Sequence, residues 1–256
     1  MGMAGEFKAK PSLEASLIAL NAALYASFGY LTYLGIFAPV FGTVRFWPAV
    51  IIPAAFSILC SPKIGGIGAA IGIFISDMLV HGSPLLSLTV GVPANLIAFY
   101  LIGLLARRWR GGASAALSVG VQLIPLLGCV ALYSWSLPDE LTATVFLAIS
   151  IAVLVFTLML SAIRRRFLGV VAASSIGLMI GSMIIGAGLW AYSQFFILPV
   201  GNVRNAPLVA AVVWFLWTYL TEIPFLHFLL PPILQAVSKA VPSKVGYVSE
   251  LVMNEG

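Results

Sequence analysis

Stretches of about 20 apolar residues recur along this chain from residue 13 to residue 234, and no other feature limits its fold so tightly. A hydrocarbon core about 30 Å thick requires about 20 such residues per crossing helix. With no water to satisfy the backbone, only helices and closed barrels cross it. The runs here are continuous rather than alternating, so the expectation is an all-α polytopic membrane bundle. Composition agrees. Of 256 residues, 61% are hydrophobic and 8% charged, where a soluble domain carries about a quarter charged residues; mean hydropathy is +1.10.

Breaks at proline, glycine and charge clusters place eight spans near 13–35, 44–61, 64–82, 84–106, 112–134, 143–163, 167–194 and 206–234. Only Ser61-Pro62-Lys63 separates the second and third, and two short upright crossings are expected there rather than a shallow hairpin. The domain plan is a cytoplasmic tail over 1–12, one transmembrane domain over 13–236 and a second cytoplasmic tail over 237–256.

Basic residues set the orientation. With the N-terminus inside, Lys8, Lys10, Lys63, Arg107, Arg108, Arg110, Arg164, Arg165, Arg166, Lys239 and Lys244 fall on the cytoplasmic side, and only Arg45 and Arg204 fall outside. Such a bias fits the positive-inside rule and an even span count, six or eight, with both termini cytoplasmic. It implies a multi-pass protein of the cell membrane, and it accounts for a pI near 9.4 without nucleic acid as a partner. The first apolar run is about twice the length of a signal-peptide core and reads as an uncleaved helix.

Catalytic chemistry finds little to work with. His81 and His227 belong to no metal-binding spacing, and Cys60 and Cys129 read as packing residues, so no metal or cofactor is expected. "GGIGAAIG" (65–72) lacks the Lys-Ser/Thr of a phosphate-binding loop. Gly68-xxx-Gly72, Gly177-xxx-Gly181 and Ser182-xxx-Gly186 read instead as faces where helix backbones approach closely. An enzyme is disfavoured.

What remains are polar groups within or just outside the bilayer, where burial is costly and function is the default reading. Asp77 lies toward the outer end of the third span, with His81 behind it. Glu222 lies near the middle of the last, before Pro224. Asn21, Asn95 and Gln122 read best as interhelical hydrogen-bonding groups. Three outer segments, "GIFAPVFGTVRFWP" (35–48), "VHGSP" (80–84) and "SQFFILPVGNVRNAP" (193–207), are placed to meet above the bundle. Arginine clamps carboxylate or phosphate, and aromatic neighbours stack on flat rings. Each arginine alone reads equally well as snorkelling to headgroups with Trp47 at the interface; the two together favour a pocket for a small, partly anionic, aromatic-tolerant solute. The candidate binding set is Tyr33, Arg45, Trp47, Asp77, His81, Asn95, Gln194, Asn202 and Arg204.

The order of an alanine-rich first helix, a Pro/Gly-rich first outer loop, "RFWPAVIIPAAFSILCSPKIGGIGAAIGIFISD" (45–77), "GVPANLIAFYLIGLLARR" (91–108) and "TEIPFLHFLLPPILQA" (221–236) resembles the substrate-binding S component of energy-coupling factor (ECF) vitamin transporters. The resemblance covers residues 13 to 108 best, extends over 167 to 240 and is missing between. It implies six family helices, a vitamin-like solute bound at the outer side, and delivery against a partner T subunit driven by two ATPases. It also implies that Ala15, Ala19 and Ala23 form the docking face for that subunit and that the loop holding Arg45 closes over the ligand. Eight spans exceed six, so 112–163 reads as an inserted helical hairpin. Two other classes stay open: a non-catalytic structural subunit of a larger membrane complex, and a stand-alone carrier coupled to protons through Asp77 or Glu222.

Overall fold

The computed structural model describes residues 10–33, 36–42, 44–109, 112–163 and 167–240. Among these the protein is a helical bundle of ten segments. They are α1 (Pro11–Leu31), α2 (Ile51–Leu59), α3 (Pro62–Val80), α4 (Pro84–Leu86), α5 (Val92–Arg108), α6 (Gly112–Ser134), α7 (Glu140–Ile163), α8 (Leu168–Phe195), α9 (Leu208–Phe228) and α10 (Leu230–Ala240). Six helices among the described residues are long and apolar enough to cross a membrane. They make the chain a multi-pass membrane protein. Their outer faces carry large apolar side chains such as Leu127, Leu141, Val155 and Met159, an exposure that suits lipid and not water.

Contacts between neighbouring passes show which of their ends lie together. At one end, Lys63 Nζ meets Glu14 Oε1 at 2.7 Å, Arg107 donates to the carbonyls of Ile58 and Cys60, and Gly169 abuts Trp109. At the other end Arg45 meets Asp77, Gly188 lies against Val90, and the Asn205 N–H bonds the Ser193 carbonyl. Lys10, Lys63, Arg107 and Arg108 sit at the first end, and Arg45 and Arg204 at the second, the segregation their charges imply. Lys8, Arg110, Arg164, Arg165, Arg166 and Lys244 lie outside the described residues.

The expected second span, 44–61, takes a different form. It comprises an extended approach, a three-residue 3-10 turn (Pro48–Val50) and the nine residues of α2, a rod only about 18 Å long. The cause lies in the preceding loop. Residues 36–42 and 44–47 fold down into the mouth of the bundle, bridged between Phe37 and Arg45, and bury Ala38, Val44 and Trp47. Trp47 occupies the space left by the missing Cβ of Gly29, so the descending helix starts already part-way in. The first span, α1, is long enough at 21 residues, but Ser12, Glu14, Ser16 and Asn21 make it less apolar than the six.

Close approaches lie where small residues permit them. Gly72 faces the Ala22 carbonyl and Tyr25 of α1, and Gly177 faces Ile102 and the Ala98 carbonyl of α5. Asn21 Nδ2 donates to the carbonyls of Ile64 and Gly65. The 112–163 hairpin is tied in by polar groups. Gln122 Nε2 donates to Ser175 Oγ at 3.1 Å, Tyr219 donates to Gln122 Oε1 at 2.9 Å, and Ser175 Oγ lies 3.0 Å from His227 Nε2. In an apolar interior such a chain of bonds leaves its donors and acceptors matched. The hairpin packs on α8 and α9, whereas α1 packs on α2 and α3. Asp139 caps α7 by accepting from Thr142 N at 2.9 Å, which holds its carboxyl below the usual range.

Candidate functional site

The site is built where α3 ends and α5 begins. Gly82, at φ +65°, lets the chain leave α3: its N–H and that of His81 both close on the Asp77 carbonyl. Pro93 then denies an N–H to the Thr89 carbonyl ahead of it. The chain answers with a π-helical turn, Ser87–Gly91, in which the Val92 N–H reaches back to Ser87. That widened turn aims Ser87 Oγ at Asp77 Oδ2, 2.6 Å away, and frees the Gly91 carbonyl to accept from Asn95 Nδ2 at 2.9 Å.

Arg45, carried down by the inward loop, completes the cluster. Its Nη2 donates to Asp77 Oδ1 at 2.8 Å, both groups being buried, and its guanidinium lies 4.2 Å from the Trp47 ring centroid, a favourable cation–π distance. His81 Nδ1 accepts the Ser83 N–H, so the ring proton sits on Nε2, 3.5 Å from Asp77 Oδ1. Both Asp77 oxygens are therefore engaged, and the Arg45 charge is neutralised within the protein.

Beneath this cluster lies a cavity with about 100 Å³ open to the centres of water-sized molecules, ample for several waters or one small solute. Its floor and walls come from α1, α3, α5, α8 and α9 and include Tyr25, Phe99, Asn95, Ser182, Thr218 and Glu222. Tyr25 donates to Asn95 Oδ1 at 2.8 Å, and its ring meets Trp47 and Phe99 edge-on, at 6.2 and 6.0 Å. Glu222 is 6% exposed and makes no hydrogen bond among the described residues.

Of the nine sequence-predicted residues, Arg45, Trp47, Asp77, His81 and Asn95 line this cavity. Four lie elsewhere, each for a local reason. Tyr33 packs its ring on Phe37. Gln194 Nε2 is occupied in donating to the carbonyls of Trp190 and Ala206. Asn202 and Arg204 are exposed in the 196–207 loop, where Asn202 adopts φ +50°. That loop does meet the first one, since Gly201 lies beside Phe41, but it stands over the cavity's roof without entering it. Tyr25, Phe99, Ser182 and Thr218 were absent from the sequence-predicted set. Tyr25 carried a readable signal, one helical turn after Asn21 on the same face of an alanine-rich helix.

Comparison with protein-family models, with curated proteins and with solved structures finds no match to the chain. Fold and site together define a multi-pass helical membrane protein with a small ionic and aromatic cavity near one end.

Proposed function

We propose that the protein is the solute-binding membrane subunit of an ATP-driven importer of the ECF type, holding a small, ring-bearing micronutrient of vitamin-like size. The observation that carries this reading is the cavity: it is roofed by the inward loop and lined with aromatic rings, and its Glu222 has no hydrogen-bonding partner among the described residues. The chain has no phosphate-binding loop of its own, which fits a subunit that borrows its ATPases. On this reading all eight passes cross the cell membrane, with α2 shortened by the loop that precedes it. The basic end and both tails are cytoplasmic, in accord with the positive-inside rule, and the cavity opens toward the outside.

Partner docking falls to α1. Ala15, Ala19 and Ala23 are exposed while Ala22 and Ala26 of the same helix are buried, so the stripe faces away from the bundle and is free to meet a T subunit. The 112–163 hairpin packs on α8 and α9 and so leaves that face open. Ala19→Trp is expected to abolish co-purification with a co-expressed T-type subunit while leaving thermal stability within about 0.5 kcal/mol of the parent, the usual range for an exposed position. Association retained by Ala19→Trp overturns the docking assignment.

The acids Asp77 and Glu222 in one cavity support a second reading, a stand-alone proton-coupled carrier. Solute uptake by the isolated chain in proteoliposomes, dissipated by a protonophore, would establish it; uptake only with T and ATPase subunits and ATP supports the first.

A further inference from the structure

The charges lining the cavity identify a class of solute. Arg45 and Asp77 cancel one another through a 2.8 Å contact, and Ser87 takes the second Asp77 oxygen. Glu222 is left over. It lines the same cavity and has no hydrogen bond among the described residues, while Arg45 bonds Asp77 instead. A buried carboxylate without a bonded partner is costly in a low-dielectric interior, and a cation brought to it recovers much of that cost. Three other lining residues carry a buried polar atom with no hydrogen-bond partner among the described residues, Ser182 Oγ, Arg45 Nε and Trp47 Nε1, and of these the serine hydroxyl can also accept. Between these polar points lie the faces and edges of Tyr25, Trp47 and Phe99.

We propose that the cavity takes a solute with a cationic nitrogen attached to or within a flat ring, the nitrogen pairing with the Glu222 carboxylate and the ring packing among Tyr25, Trp47 and Phe99. This inference rests on reading the cavity as a solute site. It reverses the anionic preference that two outer-loop arginines imply in the sequence. Arg204 does not reach the cavity, and Arg45 arrives already neutralised. An anionic solute would bring its charge to a cavity that already holds two carboxyl groups and one paired cation. A solute cation balances that set, and aromatic rings favour the same sign through their electron-rich faces.

The test uses the protein in lipid nanodiscs and three probes on one skeleton, benzylammonium, benzyl alcohol and benzoate, with binding followed by quenching of tryptophan fluorescence and by ligand-observed NMR. Benzylammonium is expected to bind about tenfold or more tighter than benzyl alcohol, the effect of a close buried charge pair, and benzoate to bind weakest. Glu222→Gln, nearly isosteric, is expected to bring benzylammonium and benzyl alcohol to similar affinity; Glu222→Asp, which keeps the charge, is expected to retain the cation preference. Equal affinities in the parent, tighter binding of benzoate, a preference untouched by Glu222→Gln, or no saturable binding of any probe would each overturn the inference. The outcome separates from the importer reading. A cation preference without T-subunit association or ATP-driven uptake sinks the importer and leaves this site chemistry standing, whereas ATP-driven uptake of an anionic solute does the opposite.

Discussion

Arg45→Ala is expected to lower the stability of the folded protein by about 3–5 kcal/mol, the usual cost of stranding one member of a buried ion pair. The stranded group would be Asp77, 5% exposed and, among the described residues, otherwise held only by Ser87 and His81. Loss of the cation–π contact on Trp47 adds to the effect. The double variant Arg45→Leu/Asp77→Leu removes both charges and is expected to recover most of that stability, because exchanging a buried pair for apolar groups is often close to neutral. Arg204→Ala, at an exposed position, should shift stability by no more than about 0.5 kcal/mol. Thermal unfolding of the four proteins in one nanodisc composition distinguishes these outcomes. Equal and small losses for Arg45→Ala and Arg204→Ala would mean that Arg45 serves a headgroup and not Asp77.

Gly177→Leu is expected to prevent assembly of the bundle or to cost about 3 kcal/mol or more, at the upper end of what overpacking does. A Cβ at Gly177 already collides with Ile102 and with the Ala98 carbonyl of α5, and neither backbone has room to retreat without opening the cavity wall that Ala98 and Leu178 share. Gly120→Ala supplies the contrast. The space beside Gly120 in α6 is open to at least 4 Å, so the substitution should stabilise its helix by up to about 1 kcal/mol through propensity alone. Yield of monodisperse protein and midpoint of unfolding give both signs. Full tolerance of leucine at 177 would show that α5 and α8 are not in contact there.

The helical membrane bundle was legible because apolar runs of about 20 residues leave the backbone no alternative. The glycine spacings at 68–72 and 177–181 marked real close approaches, and Asn21, Asn95 and Gln122 each bond across to another helix. Loop geometry was harder to read. The apolar residues of 36–47 look the same in sequence whether they rest on the membrane surface or plunge into the bundle, and only the Gly29–Trp47 fit decides between them. For the same reason the second span is shorter than its apolar run. Within the site, Arg45 and Asp77 were both singled out, but nothing in a 32-residue separation says that they touch. That pairing changes the meaning of Arg45, from a clamp for an anionic solute to the counter-ion of Asp77. It also leaves Glu222, which the sequence marked as an intramembrane acid, as the cavity carboxyl with no hydrogen bond among the described residues. The 112–163 hairpin joins the bundle through Gln122, Ser175, Tyr219 and His227, side chains drawn from three separate helices.

The most direct test of a solute-binding role is mass spectrometry of small molecules released from protein extracted into native-lipid nanodiscs, with Glu222→Gln processed in parallel. One small ring-bearing solute, near one per chain, is expected from the parent and is expected to be strongly depleted in the variant. A parent that releases only lipid, under conditions in which a known solute-binding membrane protein retains its ligand, would contradict it.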